Sequence, residues 1–182
     1  MLKNLVKSAK NLTNTRALAL AGMLLAMYAV LGIFKIPLLS PDNRITFTFT
    51  ATAAAAIILG PVPAMLVGGL GDILGYFLNP GGNAFFIGFT ISAALSGLVY
   101  GLCLYSKSEK RIIWWILIAE FVITFCINII LNTYWLSVLY SKAYTIFAMA
   151  RIIKNFASFP IHVLLIWALS AVINRTNVIK KL

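Results

Sequence analysis

Charge is what this sequence has least of. Only 10% of its 182 residues are charged, against 62% in the hydrophobic class, and the acids number four: Asp42, Asp72, Glu109 and Glu120. A soluble globular chain carries roughly 25% charged and 45–50% apolar residues. So little polar surface will not cover a core in water, which excludes a soluble domain, and the apolar excess excludes disorder and a collagen-like fibre. Histidine occurs once, as His162, and cysteine twice, as Cys103 and Cys126. The two cysteines are too far apart for a C-x-x-C metal or redox motif and read as free core thiols. No second His or Cys stands at ligand spacing to His162, and no paired acids accompany it, so neither a metal site nor a catalytic constellation is expected.

What is present in abundance is apolar sequence, with a mean hydropathy of +0.97. At roughly 20 apolar residues per transmembrane helix, the length allows about six spans and little else, so the expected fold is an all-α integral membrane protein of six transmembrane helices, a single domain over residues 1–182. Pattern and breakers place the helices over residues 17–34, 47–60, 62–78, 86–105, 112–139 and 144–173. The uncharged run from Ala17 to Phe34 exceeds the usual signal-peptide core of about 7–15 residues and no small-x-small site follows, so the first helix is read as retained. Pro37 and Pro41 break a loop from Lys35 to Ile45. In the following RITFTFTATAAAAIILG, the Thr/Phe alternation has strand period, but an open strand edge is not tolerated in lipid, so it is read as loop leading into the second helix. Gly60-Pro61-Val62-Pro63 ends that helix and starts the third, since Pro suits a first turn. Asn79-Pro80-Gly81-Gly82-Asn83 is a turn by composition, and Ser106 to Arg111 a charged loop.

The formal charge of +11 reads as topology in such a chain and not as a nucleic-acid surface. Lys3, Lys7, Lys10 and Arg16 precede the first helix, Lys107, Lys110 and Arg111 follow the fourth, and Arg175, Lys180 and Lys181 end the chain; the opposite side holds Lys35, Arg44 and Lys142. The positive-inside rule then makes residues 1–16 and 174–182, and so both termini, cytoplasmic. No internal repeat is visible, which speaks against an inverted-repeat transporter core.

Ionisable side chains inside a span cost several kcal/mol on insertion scales and face a cavity or a partner by default. Arg151 and Lys154 lie about 10 and 15 Å into the sixth helix at 1.5 Å per residue. Arg151, Lys154, Asn155, Ser158 and His162 recur at three- and four-residue spacing on one helix face. That face suits an anionic ligand entering from outside, with Arg151 as a bidentate fork and Lys154 as a point charge. The alternative is a buried ion pair with Asp72, although one acid does not neutralise two bases. His162 reads as a hydrogen-bonded core histidine. Asp72, within Gly68-Gly69-Leu70-Gly71-Asp72-Ile73-Leu74-Gly75, either meets an N–H and amino edge of a heterocycle or pairs with Lys154. Asn128, Asn132 and Trp135 form a hydrogen-bonding and stacking face on the fifth helix, where Trp135 also fits an interfacial belt. Glu120 lies in the inner half of that helix, with no role assigned. Ala17-x-x-x-Ala21 and Gly22-x-x-x-Ala26 let another helix approach closely, inside the chain or on a partner.

Together these residues resemble the substrate-binding S components of energy-coupling factor (ECF) vitamin transporters, and within them the folate family. The resemblance covers nearly the whole chain. It is carried by Ala17-x-x-x-Ala21, Asp72-Ile73-Leu74-Gly75, Asn79-Pro80-Gly81-Gly82, Phe86-x-Gly88-Phe89-Thr90 and Tyr100-Gly101-Leu102. Its most specific parts are Leu131-Asn132-Thr133-Tyr134-Trp135-Leu136 and Arg151-x-x-Lys154-Asn155 with Pro160. The sequence departs from the family pattern at His162, where an acid is common. The resemblance implies a non-catalytic subunit of a bacterial cell membrane that binds folate or reduced folate from outside, with no cofactor. It implies as partners a scaffold transmembrane subunit, contacted through Ala17, Ala21, Gly22 and Ala26, and two cytoplasmic ATPases. On that basis Arg151 and Lys154 are expected to take the glutamate or a pterin oxygen, Asp72 or Asn132 the pterin edge with Asn155 beside them, and Trp135 and Phe85 the stacking. Arg44 and Lys35, near the mouth, either meet the γ-carboxylate or face water. A different vitamin of the same superfamily, such as pantothenate, thiamine or a pyrimidine precursor, fits the same architecture. A stand-alone carrier fits less well, for want of a coupling-ion site.

Overall fold

The computed structural model describes residues 2–34, 36–40, 43–79, 85–105, 111–140 and 144–176. Five helical stretches are long and apolar enough to cross a membrane: α2 (Thr15–Ile33), α4 (Pro61–Leu78), α5 (Ile87–Leu104), the continuous Ile112–Tyr140 and the Arg151–Arg175 part of α8 (Tyr144–Arg175). The protein is therefore an all-α multi-pass membrane protein in its spanning part. Many large side chains on these helices face outward, among them Met23, Phe77, Trp114, Phe121 and Leu164, as lipid contact requires.

The remaining helix sits differently. The α3 helix (Thr48–Ile58) has 11 residues, about 16 Å at 1.5 Å per residue, which is half of a bilayer core. Its residues Ala51 to Ile57 are all buried, and α2, α4, α5 and α8 pack around it. The alanine run explains this position, because a helix without bulky side chains admits four neighbours at close range. A turn at Gly60, whose φ of 97° is open to glycine at little cost, reverses the chain into α4.

Small residues also seat α4 on α5. A Cβ on Gly97 would collide with the Ala64 carbonyl, and one on Gly101 with Pro61 Cα. The backbones thus meet directly, the packing that membrane helices use where lipid removes the hydrophobic drive.

Three elements differ from the sequence expectation. The N-terminal segment forms the helix α1 (Leu2–Asn11), pinned where Ser8 Oγ donates to the Leu59 carbonyl at 3.3 Å and accepts from Val62 N–H at 3.0 Å. Residues expected as loop pair as an antiparallel hairpin, β1 (Ile36–Ser40) with β2 (Asn43–Ile45), beside α8. The fifth long helix is not uniform: α6 (Ile112–Val122) and α7 (Asn132–Tyr140) flank a π-helical segment, Ile123–Leu131.

Candidate functional site

A cavity of about 410 Å³ opens among α2, α3, α4, α5, the π segment and α8. One wall belongs to α8, from which Arg151, Lys154, Asn155, Ser158 and His162 all line it. Their three- and four-residue spacing keeps them on one face. The stretch from Arg151 to His162 spans about 16 Å at the helical rise, so the cavity is elongated along this helix.

At the Arg151 end the walls are amides and cations. Arg151 Nη1 donates to the Asn128 backbone carbonyl at 3.3 Å, and Asn132 Nδ2 donates to Asn128 Oδ1 at 3.1 Å. Asn132 Oδ1 and Ser158 Oγ are buried without a hydrogen-bond partner among the described residues, although both residues line the cavity. Buried polar atoms without partners cost about 1–3 kcal/mol each, so this wall favours a ligand that supplies the missing donors and acceptors. Lys154 makes no hydrogen bond or ion pair among the described residues, and a second cation beside Arg151 raises the demand for an anion.

Across the cavity Asp72 Oδ2 accepts from Thr90 Oγ1 at 2.8 Å. Tyr28 reaches the same region because Gly71 leaves room: a Cβ there would lie 2.6 Å from the tyrosine ring. The far end is aromatic. Phe49 stacks on His162 with ring centroids 3.9 Å apart and planes at 27°. Behind them Glu120, 0% exposed, accepts from Tyr100 OH and stands 3.4 Å from His162 Nδ1. Glu120 Oε2 makes no hydrogen bond among the described residues, so His162 faces it at ion-pair distance while the imidazole lines the cavity.

Of the residues expected from sequence, Arg151, Lys154, Asn155, Asn132 and Asp72 come together on these walls. Trp135 lies behind the wall, where its Nε1–H donates to Ser92 Oγ at 3.2 Å and its ring packs over Gly88 and against Phe86. Phe85 is 39% exposed and gathers with Tyr76 and Phe77 outside the cavity. The stacking faces on the wall are instead Phe49 and Phe89. Lys35, the Arg44 side chain and Pro80-Gly81-Gly82 lie outside the described residues. Ala17 is 4% exposed and Ala21 partly buried within this chain, whereas Gly22 and Ala26 are exposed.

Sequence reasoning did not assign Tyr28, Thr46, Thr48, Phe49, Thr52, Phe89, Ser92, Ser96 or Tyr100 to the site. A signal was available for α5, because Phe89, Ser92, Ser96 and Tyr100 recur at three- and four-residue spacing, a polar stripe on an apolar helix.

Fold and cavity together define a helical membrane protein built around an elongated polar cavity with cations at one end and rings at the other. Comparison with known proteins places it more closely. The family model for "ECF transporter, substrate-specific component" matches residues 16–180, and the chain belongs to that family. It is 35% identical over 144 residues to the folate transporter FolT of Clostridium novyi, covering 78% of this chain and 81% of that one. The FolT of Leuconostoc mesenteroides is 34% identical over 156 residues, 82% of each chain. A crystal structure of FolT bound with folic acid superposes with a TM-score of 0.73 at 32% identity, over 85% of this chain and 91% of that one.

Proposed function

We propose that this protein is the folate-binding S component of an ECF-type uptake transporter in a bacterial cell membrane. It captures folate or a reduced folate from outside and delivers it inward with a scaffold subunit and two ATPase subunits, which hydrolyse the ATP. The observation that carries this reading is the cavity's polarity: Arg151 and Lys154 meet at one end of an elongated space whose other end is aromatic. Folate has the matching order, a glutamate with two carboxylates, an aromatic linker and a flat pterin. The relatives named as folate transporters and the folic-acid-bound FolT support the same ligand.

In this arrangement Arg151 forks onto a carboxylate and Lys154 neutralises the second charge. Asn155, Asn132 and Asp72 complete the polar wall, and the acceptor oxygens of Asn132 and Asp72 suit the amino edge of a pterin. Phe49 and Phe89 supply the stacking. Lys35 and Arg44, expected from their place in the sequence near the mouth, either meet the γ-carboxylate or face water.

Both termini are cytoplasmic in this reading, as the distribution of Lys and Arg supports. Five crossings alone would separate the termini, so the short α3 counts as the sixth.

The test is Arg151→Ala. If Arg151 holds a desolvated carboxylate, folate affinity falls by at least ~2 kcal/mol, about 30-fold, while thermal stability changes little. An unchanged dissociation constant would return Arg151 to a structural role.

A further inference from the structure

The π segment is the one feature of the fifth long helix that a uniform span does not need. π-helical insertions in α-helices occur mostly as short bulges, frequently at functional sites. Here the segment runs from Ile123 to Leu131 and carries two wall residues of the cavity, Ile123 and Asn128.

Its hydrogen-bond register has a local consequence. In an α-helix the N–H of Asn132 would bond the carbonyl four residues back, that of Asn128. In this protein it bonds the carbonyl of Ile127, five residues back. The Asn128 carbonyl is thereby released from Asn132, and the group that takes it is Arg151 Nη1 at 3.3 Å. The side chain of Asn128 is held at the same place by Asn132 Nδ2 at 3.1 Å. A guanidinium has five N–H donors in a rigid fork, so fixing one nitrogen on a helix carbonyl orients the others.

We propose that the π register is the device that positions Arg151, with the backbone carbonyl of Asn128 as its anchor, and that it thereby sets the protein's preference for a ligand ending in carboxylates. The inference rests on the folate reading for the identity of that ligand; the register and the anchor stand independently of it.

Deleting one residue of the segment removes the extra residue that a π turn accommodates. Ile130 is 58% exposed on the outer face and is the residue to remove. In the ΔIle130 protein Ile127 becomes the residue four back from Asn132, so their bond turns α-helical, and the same register gives the Asn128 carbonyl to Thr133 N–H, so that Arg151 loses its anchor. Titration with folate and with pteroate, which keeps the single carboxylate on the benzoate ring and lacks the two of the glutamate, then separates the glutamate carboxylates from the rest. The expected result is a loss of at least 30-fold for folate with pteroate held within threefold of the unaltered protein. Equal losses for both ligands, or none for either, would overturn the proposal.

Arg151→Lys serves as a second variant if ΔIle130 does not fold. A lysine keeps the charge but has no fork to divide between carbonyl and carboxylate. It should lose at least tenfold in the folate-to-pteroate affinity ratio, and an unchanged ratio counts against the anchor. A ligand-independent reading comes from the Arg Nη–H NMR resonances of the unaltered protein. One should be resolved by slow guanidinium rotation and vanish in Arg151→Lys and in ΔIle130. Its absence from the unaltered protein, or its persistence in either variant, overturns the anchor even if folate is not the ligand. Failure of the unaltered protein to bind folate contradicts the proposed function alone.

Discussion

His162 Nδ1 stands 3.4 Å from Glu120 Oε2, with the carboxylate fully buried between this imidazole and the hydroxyl of Tyr100. Three spanning helices, α5, α6 and α8, thus meet on one acid inside the membrane-embedded core. Apolar surroundings make such a group expensive unless it is paired. The relationship also accounts for the one histidine of the chain, whose ring is stacked on Phe49 and edged into the cavity.

Removing that acid should therefore cost more than removing an ordinary core side chain. Glu120→Ala is expected to destabilise the protein by about 3–5 kcal/mol, the range for breaking one side of a buried pair. Glu120→Gln keeps an acceptor for Tyr100 and should lose less. Thermal unfolding in detergent measures both, and equal melting temperatures for the alanine variant and the parent would contradict the role.

Lys154 should show opposite effects on stability and binding. It faces the cavity beside Arg151 without a hydrogen bond or ion pair among the described residues. Lys154→Met removes an uncompensated charge, so the ligand-free protein should melt higher while folate affinity drops at least tenfold. A lower melting point with unchanged affinity would show that Lys154 stabilises the fold and does not meet the ligand.

Two glycines distinguish close packing from helix propensity. Gly101→Ala drives a Cβ into the Pro61 backbone and should cost about 1–3 kcal/mol as overpacking. Gly75→Ala meets nothing within 4 Å and should be neutral or stabilising by up to about 1 kcal/mol. Melting temperatures of the two variants should diverge in those directions, and a similar loss in both would contradict the packing at Gly101.

The outer face of α2 is where a partner helix has room. Gly22 is exposed and a side chain there meets nothing within 4 Å, whereas Ala17 is buried in this chain. Gly22→Trp should spare folate binding by the isolated protein and abolish uptake by cells that supply the scaffold and ATPases. Uptake that survives the substitution would place the scaffold contact elsewhere.

Much of the polar wall was legible because it follows helix periodicity. Arg151, Lys154, Asn155, Ser158 and His162 share a face by spacing alone, and the structure sets that face on the cavity. The role of Glu120 was not legible, since its partners Tyr100 and His162 lie 20 and 42 residues away on other helices. Phe85 and Trp135 were expected to stack in the site because aromatic character is visible in sequence, but which way a ring turns is decided by its neighbours. Gly88 draws Trp135 onto α5, and Tyr76 and Phe77 hold Phe85 outside. The π register left no mark in the pattern, because an apolar run such as Ile123–Leu131 carries no phase that separates one helical period from another.

The central claim is the identity of the ligand. Titrating the purified protein with folate while following tryptophan emission tests it directly, with pantothenate, thiamine and a pyrimidine precursor as parallel ligands. Saturable quenching by folate at nanomolar to low micromolar concentration, with no response to the other three, is the predicted result. Tight binding of one of those three with none of folate or a reduced folate would contradict it.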